Sequence, residues 1–177
     1  AQATGDASVE SALLVAEHKS AKYTVERPLH LGAAMAGPPC ADEVAAALSG
    51  YGLPLGVAFQ LRDDILGVFG DPVQTGKPAG DDLREGKRTV LLAMTLARAN
   101  ARQAAVISRH LGDPLLDAAG TAEVRAVIAD TGALAECEQM IDHNVARALG
   151  ALTEAPITAG ARDALAALAV AATARHD

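Results

Sequence analysis

The amino-acid sequence predicts an all-α fold, a single helical domain over residues 1–177. Three observations carry the prediction. Half of the residues are hydrophobic and alanine dominates them; alanine is the best helix former, and its small side chain lets helices approach closely. Aromatic residues make up only 2%, Trp is absent, and the β-branched and aromatic residues that favour strands are sparse. Punctuation such as Gly37-Pro38-Pro39 and Gly112-Asp113-Pro114 divides the chain into helix-length segments, and the length suffices for one sizeable core.

The first predicted helix covers 8–27. Asp6 or Ser8 is placed to cap it, Glu10 lies in its first turn, and Leu13, Leu14, Ala21 and Val25 give an approximate apolar face. Pro28 restricts Arg27 and is expected to end or bend this helix. A short second helix over 29–36 stops at Gly37-Pro38-Pro39. Asp42 is placed to cap a long helix running to Phe69, with Gly50, Gly52 and Pro54 predicting a kink or two helices in sequence. Residues 70–88 are rich in Gly, Pro and Asp and read as a loop long enough to be functional. A helix of strong formers is expected over 89–111. Three more, over 121–130, 132–149 and 157–175, read as packing scaffold. No repeat and no linker interrupts the series.

The net charge is −7, with no basic patch and few aromatic faces for stacking bases, which points away from nucleic acid. Charges are expected to break every apolar run short of the ~20 residues that span a bilayer, so no transmembrane segment is predicted. The opening Ala1-Gln2-Ala3-Thr4-Gly5-Asp6 lacks the basic and apolar regions of a signal peptide. Cys40 and Cys137 form neither a disulfide framework nor a metal set and read as reduced thiols of a cytoplasmic protein. The five histidines, His18, His30, His110, His143 and His176, lack metal-ligand spacing. The chain starts at Ala1 and not at a methionine, which suggests residues upstream.

The chemistry concentrates in Phe59-Gln60-Leu61-Arg62-Asp63-Asp64-Ile65-Leu66-Gly67 and the segment after it. Gln60, Asp63, Asp64 and Gly67 share one side of a helix otherwise lined by Val57, Leu61, Ile65 and Val68. Adjacent carboxylates repel, and a hard cation such as Mg2+ relieves the repulsion and binds phosphate oxygens in turn. Lys77 and Lys87 flank the Gly/Pro loop and supply point charges for the same anion. Gly76-Lys77 is not a P-loop: five residues separate Gly70 from Gly76, Pro78 follows the lysine, and a helix precedes. Asp81, Asp82 and Glu85 are placed to fix the loop by capping and ion pairs.

The run resembles the second aspartate-rich region of the trans-isoprenyl diphosphate synthases, the polyprenyl synthetase family. That pattern, roughly F-Q-x-x-D-D-x-x-D, G-D, G-K-x-x-G-x-D and E-G-K-x-T, is met at Phe59, Gln60, Asp63, Asp64, Gly70, Asp71, Gly76, Lys77, Gly80, Asp82, Glu85, Gly86, Lys87 and Thr89. Gly67 departs from it, standing where the third aspartate usually lies. Upstream, Lys19-Ser20-Ala21-Lys22-Tyr23 resembles the family's K-T-x-x-Y segment, with serine keeping the hydroxyl.

The resemblance implies a helical bundle of the isoprenoid synthase type and Mg2+ held by Asp63 and Asp64. It implies catalytic or substrate-binding roles for Lys19, Ser20, Gln60 and Lys77 at an allylic diphosphate, and Lys87 pairing locally or lining the entrance. The implied reaction ionises the allylic diphosphate, adds isopentenyl diphosphate and releases a proton, giving a short-chain product of the geranylgeranyl or farnesyl type. The family's first aspartate region, an acidic run followed by paired arginines, is not in these residues. The chain is therefore expected to be a C-terminal partial domain, inactive alone, that homodimerises or associates with a missing N-terminal half. The alternative is a non-catalytic regulatory or binding subunit of a heteromeric prenyl diphosphate synthase. A cyclase relative is disfavoured because the motif N-D-x-x-S-x-x-x-E is absent.

Overall fold

The computed structural model describes residues 8–37, 41–76 and 80–173. All regular structure among them is helical: α1 Val9–Ala16, a π-helical stretch Glu17–Glu26, α2 Arg27–Ala36, α3 Ala41–Phe69, α4 Pro72–Thr75, α5 Asp81–Arg84, α6 Val90–Arg98, α7 Ala101–His110, α8 Ala118–Asp130, α9 Ala133–Thr153 and α10 Ala159–Thr173. Two compact units emerge, one built on 63–138 with the residues up to Leu14, the other on 15–62 and 139–176.

Four local expectations change. The chain does not break at Pro28, which sits in the first turn of α2 directly after the π-helical stretch. The turns before it widen into the π-helical stretch, in which the Arg27 N–H donates to the Lys22 carbonyl five residues back. Of the kink or two helices expected over 42–69, the second does not occur: Ala41–Phe69 is one helix with Pro54 inside it. The expected helix over 89–111 is two, because Asn100 starts α7 with a reciprocal capping box: its side chain accepts from the Gln103 N–H while the Gln103 side chain accepts from its own. The loop over 70–88 contains two short turns of helix, α4 capped by Asp71 and α5 after Gly80. Asp6, the turn at Pro38-Pro39, Cys40, Lys77 and His176 lie outside the described residues.

In the second unit, Tyr51, Leu55, Ala148, Leu152 and Ala169 form a buried apolar cluster, and the Tyr51 hydroxyl donates to the Leu165 carbonyl at 2.8 Å. Burial pushes the Tyr51 hydroxyl up to about 12. Gly52 and Gly56 let the backbone of the preceding helix approach α3: a Cβ at Gly56 would meet Ala21 N at 3.0 Å, and one at Gly52 would meet Glu26 Cα at 3.2 Å. Buried Arg62 donates to the last α10 carbonyl, Thr173 O, at 3.0 Å.

In the first unit, the C-terminus of α3 is closed by Arg125, which donates to the Val68 carbonyl at 2.8 Å and stands 5.5 Å over the Phe69 ring. A cation there complements the negative end of the helix. The end of α5 is tied down by Gly112 N, which donates to Leu83 O at 2.7 Å, and by Arg84 Nε, which donates to Leu116 O at 3.1 Å.

One expectation about membranes changes as well. The helix Asp42–Phe69 is long and apolar enough to span a bilayer by length and composition, since residues 44–61 hold no charge. A core helix meets the same measure. Tyr51, Leu55, Ala58 and Leu61 on it are fully or almost fully buried among protein atoms.

Candidate functional site

The two adjacent aspartates of α3 point to different environments. Asp63 is exposed, whereas Asp64 is buried and its Oδ2 accepts from the Val90 N–H at 3.2 Å. Neighbours on a helix are rotated by about 100°, so one carboxylate faces outward while the other turns to the start of α6. That N-terminus is capped a second time by Thr89, whose hydroxyl accepts from Leu92 N at 3.3 Å. A buried carboxylate against free N–H groups at a helix N-terminus is favourable by hydrogen bonding and by the helix dipole. Asp64 therefore does structural work that the sequence pattern, which paired it with Asp63 as a metal ligand, did not indicate.

The third acidic position is Gly67, and the space above it is filled by Asp82. A Cβ there would overlap the Asp82 carboxyl group and stand 3.1 Å from its Cβ. Asp82 is buried, and its Oδ1 is the close partner of the Lys87 ammonium, which also meets Glu85 at 3.0 Å. Lys87 thus pairs locally, and the Asp82 hydrogen bond raises its pKa above the ordinary lysine value, with Glu85 adding to the effect. The loop role expected of Asp82 and Glu85 is visible in these two pairs. The signal for it was the five-residue spacing between Asp82 and Lys87, short enough for a side chain to fold back across one turn.

In the second unit, the buried Ser20 hydroxyl donates to Gln60 Oε1. Ser20, expected at a diphosphate, is thereby linked to Gln60, a second residue of the expected site. A side-chain carbonyl held by a hydroxyl fixes which way the amide points, so Ser20 orients Gln60. Lys19 is exposed on the π-helical stretch, and its carbonyl accepts from the Thr24 hydroxyl at 3.3 Å. Gln60 and Asp63 are three residues apart on α3, the spacing that shares a helix face. An apolar cavity of about 380 Å³, lined by Val25, Leu29, Tyr51, Leu55, Phe59 and Leu168 among others, lies in the same unit. The sequence reading named Phe59 as part of a motif but did not foresee that cavity.

A metal site was expected at Asp63 and Asp64. Among the described residues no three His, Cys, Asp or Glu side chains come together as a metal-binding group. The donors fit a small hard cation in one way: exposed Asp63 supplies a carboxylate oxygen and a bound anion supplies others. Mg2+ commonly binds so, through one or two carboxylates plus phosphate oxygens and waters.

A family model described as Polyprenyl synthetase matches residues 1–130. A geranylfarnesyl diphosphate synthase of Aeropyrum pernix is 36% identical over 132 residues, 75% of this chain and 40% of that protein. A (2E,6E)-farnesyl diphosphate synthase of Mycobacterium tuberculosis is 37% identical over 116 residues, 66% of this chain and 30% of that protein. Among solved structures, the geranylgeranyl pyrophosphate synthase of Corynebacterium glutamicum, complexed with isoprenyl diphosphate and magnesium, superposes with TM-score 0.91 at 46% identity, covering 97% of this chain and 48% of that one. The chain spans less than half the length of the curated relatives it matches.

Proposed function

The chain belongs to the polyprenyl synthetase family, and from that premise we propose that it carries the diphosphate-binding face of a magnesium-dependent trans-prenyltransferase extending an allylic diphosphate with isopentenyl diphosphate. The observation that carries the proposal is the division of labour on α3: Asp64 is committed to the start of α6, while Asp63 stands exposed three residues from a Gln60 oriented by Ser20.

Loss of diphosphate from an allylic carbon separates charge, and the barrier falls when the departing anion meets preorganised positive groups. Mg2+, when bound, supplies Lewis-acid stabilisation of that anion. Asp63 would hold the cation, and Gln60 would offer an amide donor to an oxygen of the anion. Lys19 and Lys77 are the ammonium groups that the family pattern assigns to the diphosphate. Lys87, paired with Asp82 and Glu85, lines the entrance. An apolar lining keeps water from a carbocation.

The product is of the short-chain geranylgeranyl or farnesyl type, a reading supported by the 46% identity to a geranylgeranyl synthase. The 177 residues hold no acidic run followed by paired arginines to accompany the one at Asp63. They are expected to bind but not to turn over alone, and to act as a homodimer or with the complementary half.

Calorimetric titration of the chain with a non-hydrolysable allylic diphosphate analogue, with and without Mg2+, tests the reading. Binding should require Mg2+ and be lost in Asp63→Ala. Equal binding by parent and Asp63→Ala would overturn it. Turnover on mixing with a chain that carries the first aspartate region separates an enzyme half from a non-catalytic subunit.

A further inference from the structure

Another cavity, of about 240 Å³, lies between α6 and α7 in the first unit. Its floor is apolar and buried, formed by Leu92, Ala93 and Ile107. Arg88 and Ser108 also line it, and both are exposed. We propose that this cavity is a binding site for a small amphiphilic anion, whose hydrocarbon body enters between the helices while its carboxylate or phosphate head stays at Arg88 and Ser108.

The size of the occupant follows from the volume. An apolar cavity of about 150 Å³ stays dry and takes benzene. This one is larger, and at about 30 Å³ for each water-sized group it admits roughly eight of them. The apolar end follows from the floor, where water would lack the two or more polar partners that hold it in place. The charge of the other end follows from the mouth. Arg88 is the charged residue of the described lining; a guanidinium carries only donors, and the Ser108 hydroxyl adds another for anionic oxygens. Position 88 is the open place in the pattern E-G-K-x-T, so the pattern gives Arg88 no role, and it is altered without touching Lys87 or Thr89. None of the lining residues belongs to the face at Gln60 and Asp63, so the proposal stands apart from the diphosphate reading.

The cavity of the second unit supplies a contrast. It is larger, at about 380 Å³, and no charged side chain is among its described lining. A neutral alcohol should favour that cavity, and an anion the one at Arg88.

Hexanoate, hexyl phosphate and hexanol, titrated into the full chain at constant ionic strength, test this. Hydrogen exchange locates each probe. The anions should bind with dissociation constants of about 1 mM or lower and slow exchange over 88–111. The tighter of the two identifies the head group. Hexanol should protect that segment about tenfold more weakly. Arg88→Met keeps an apolar stem without the charge; it should weaken both anions about tenfold and leave hexanol unchanged. Ser108→Phe plugs the mouth from an exposed position and should abolish protection of 88–111 by all three.

Anion binding that survives Arg88→Met, or equal protection of 88–111 by hexanol, overturns the anionic head. Protection confined to segments of the second unit overturns the site, as does protection of 88–111 that persists in Ser108→Phe. Absence of binding by all three probes does the same and leaves the cavity a void between two helices.

Discussion

Asp63 and Asp64 have the same chemistry and adjacent positions, yet Asp63 is exposed and Asp64 is buried. Asp64 replaces water at the start of α6, where Val90 N–H would be buried without a partner. An orphaned buried donor costs about 1–3 kcal/mol, and a lost N-terminal cap about 1. Asp64→Ala is therefore expected to destabilise the chain by about 2 kcal/mol in urea titrations without metal. Asp63→Ala should leave the urea midpoint where it was while removing Mg2+-dependent binding. Were both aspartates outward-facing ligands, removing either would relieve repulsion and neither midpoint would fall. The sequence could not distinguish the pair: adjacent positions point about 100° apart, and which of them is covered depends on α6, whose start lies 26 residues away.

At the scale of elements, the close approach of α3 and the helix before it decides much of the second unit. Glycines at 50 and 52, with Pro54, read in sequence as an interruption. In the structure α3 continues, and Gly52 and Gly56 serve to admit the backbone at Glu26 and Ala21. Gly56→Ala tests this with opposing magnitudes. Helix propensity favours alanine by about 0.5–1 kcal/mol, while forcing a methyl into a packed interface costs about 1–3 kcal/mol. The second term should win, because the group it strikes is backbone and cannot swing aside. A net loss of about 1 kcal/mol is expected in urea, and a more stable variant would mean the two helices are not held this closely.

Element boundaries show what was legible. The helix ending at Phe69 follows from the apolar run and the Gly70-Asp71-Pro72 stop. The break before α7 was also written in the chain, as Asn100 followed three residues later by Gln103; the strong helix formers on either side concealed it. The π-helical stretch was not legible. Nothing in the local sequence of 17–26 marks a five-residue hydrogen-bond register, and the stretch packs where Gly56 leaves the α3 backbone bare. The closeness of Asp82 to Gly67 was equally hidden, since spacing along α3 does not show what the following loop lays against it.

At the scale of the whole molecule, two buried acids set an alkaline limit on stability. Burial, with a smaller contribution from the charge of Asp64, pushes the Cys137 thiol from 9.0 to about 12. Burial likewise pushes the Tyr51 hydroxyl from 10.0 to about 12. In the unfolded chain each loses its proton at the lower, ordinary value. Between that value and the raised one the folded state binds more protons than the unfolded state, so stability falls as pH rises. Below pH 9 neither group contributes a slope. Above it each titrating group removes about 1.4 kcal/mol per pH unit, Cys137 first and Tyr51 from about pH 10. Melts from pH 8 to 11 should show Tm level at first and then falling in two stages. Cys137→Ala should delay the onset to about pH 10, and Tyr51→Phe should leave the onset and flatten the later stage. The two groups belong to different units of the chain, so the same melts test the expectation of one domain. If 177 residues unfold together, ionisation of either group lowers a single shared midpoint. Two transitions, each answering to only one of the substitutions, would show that the units unfold apart.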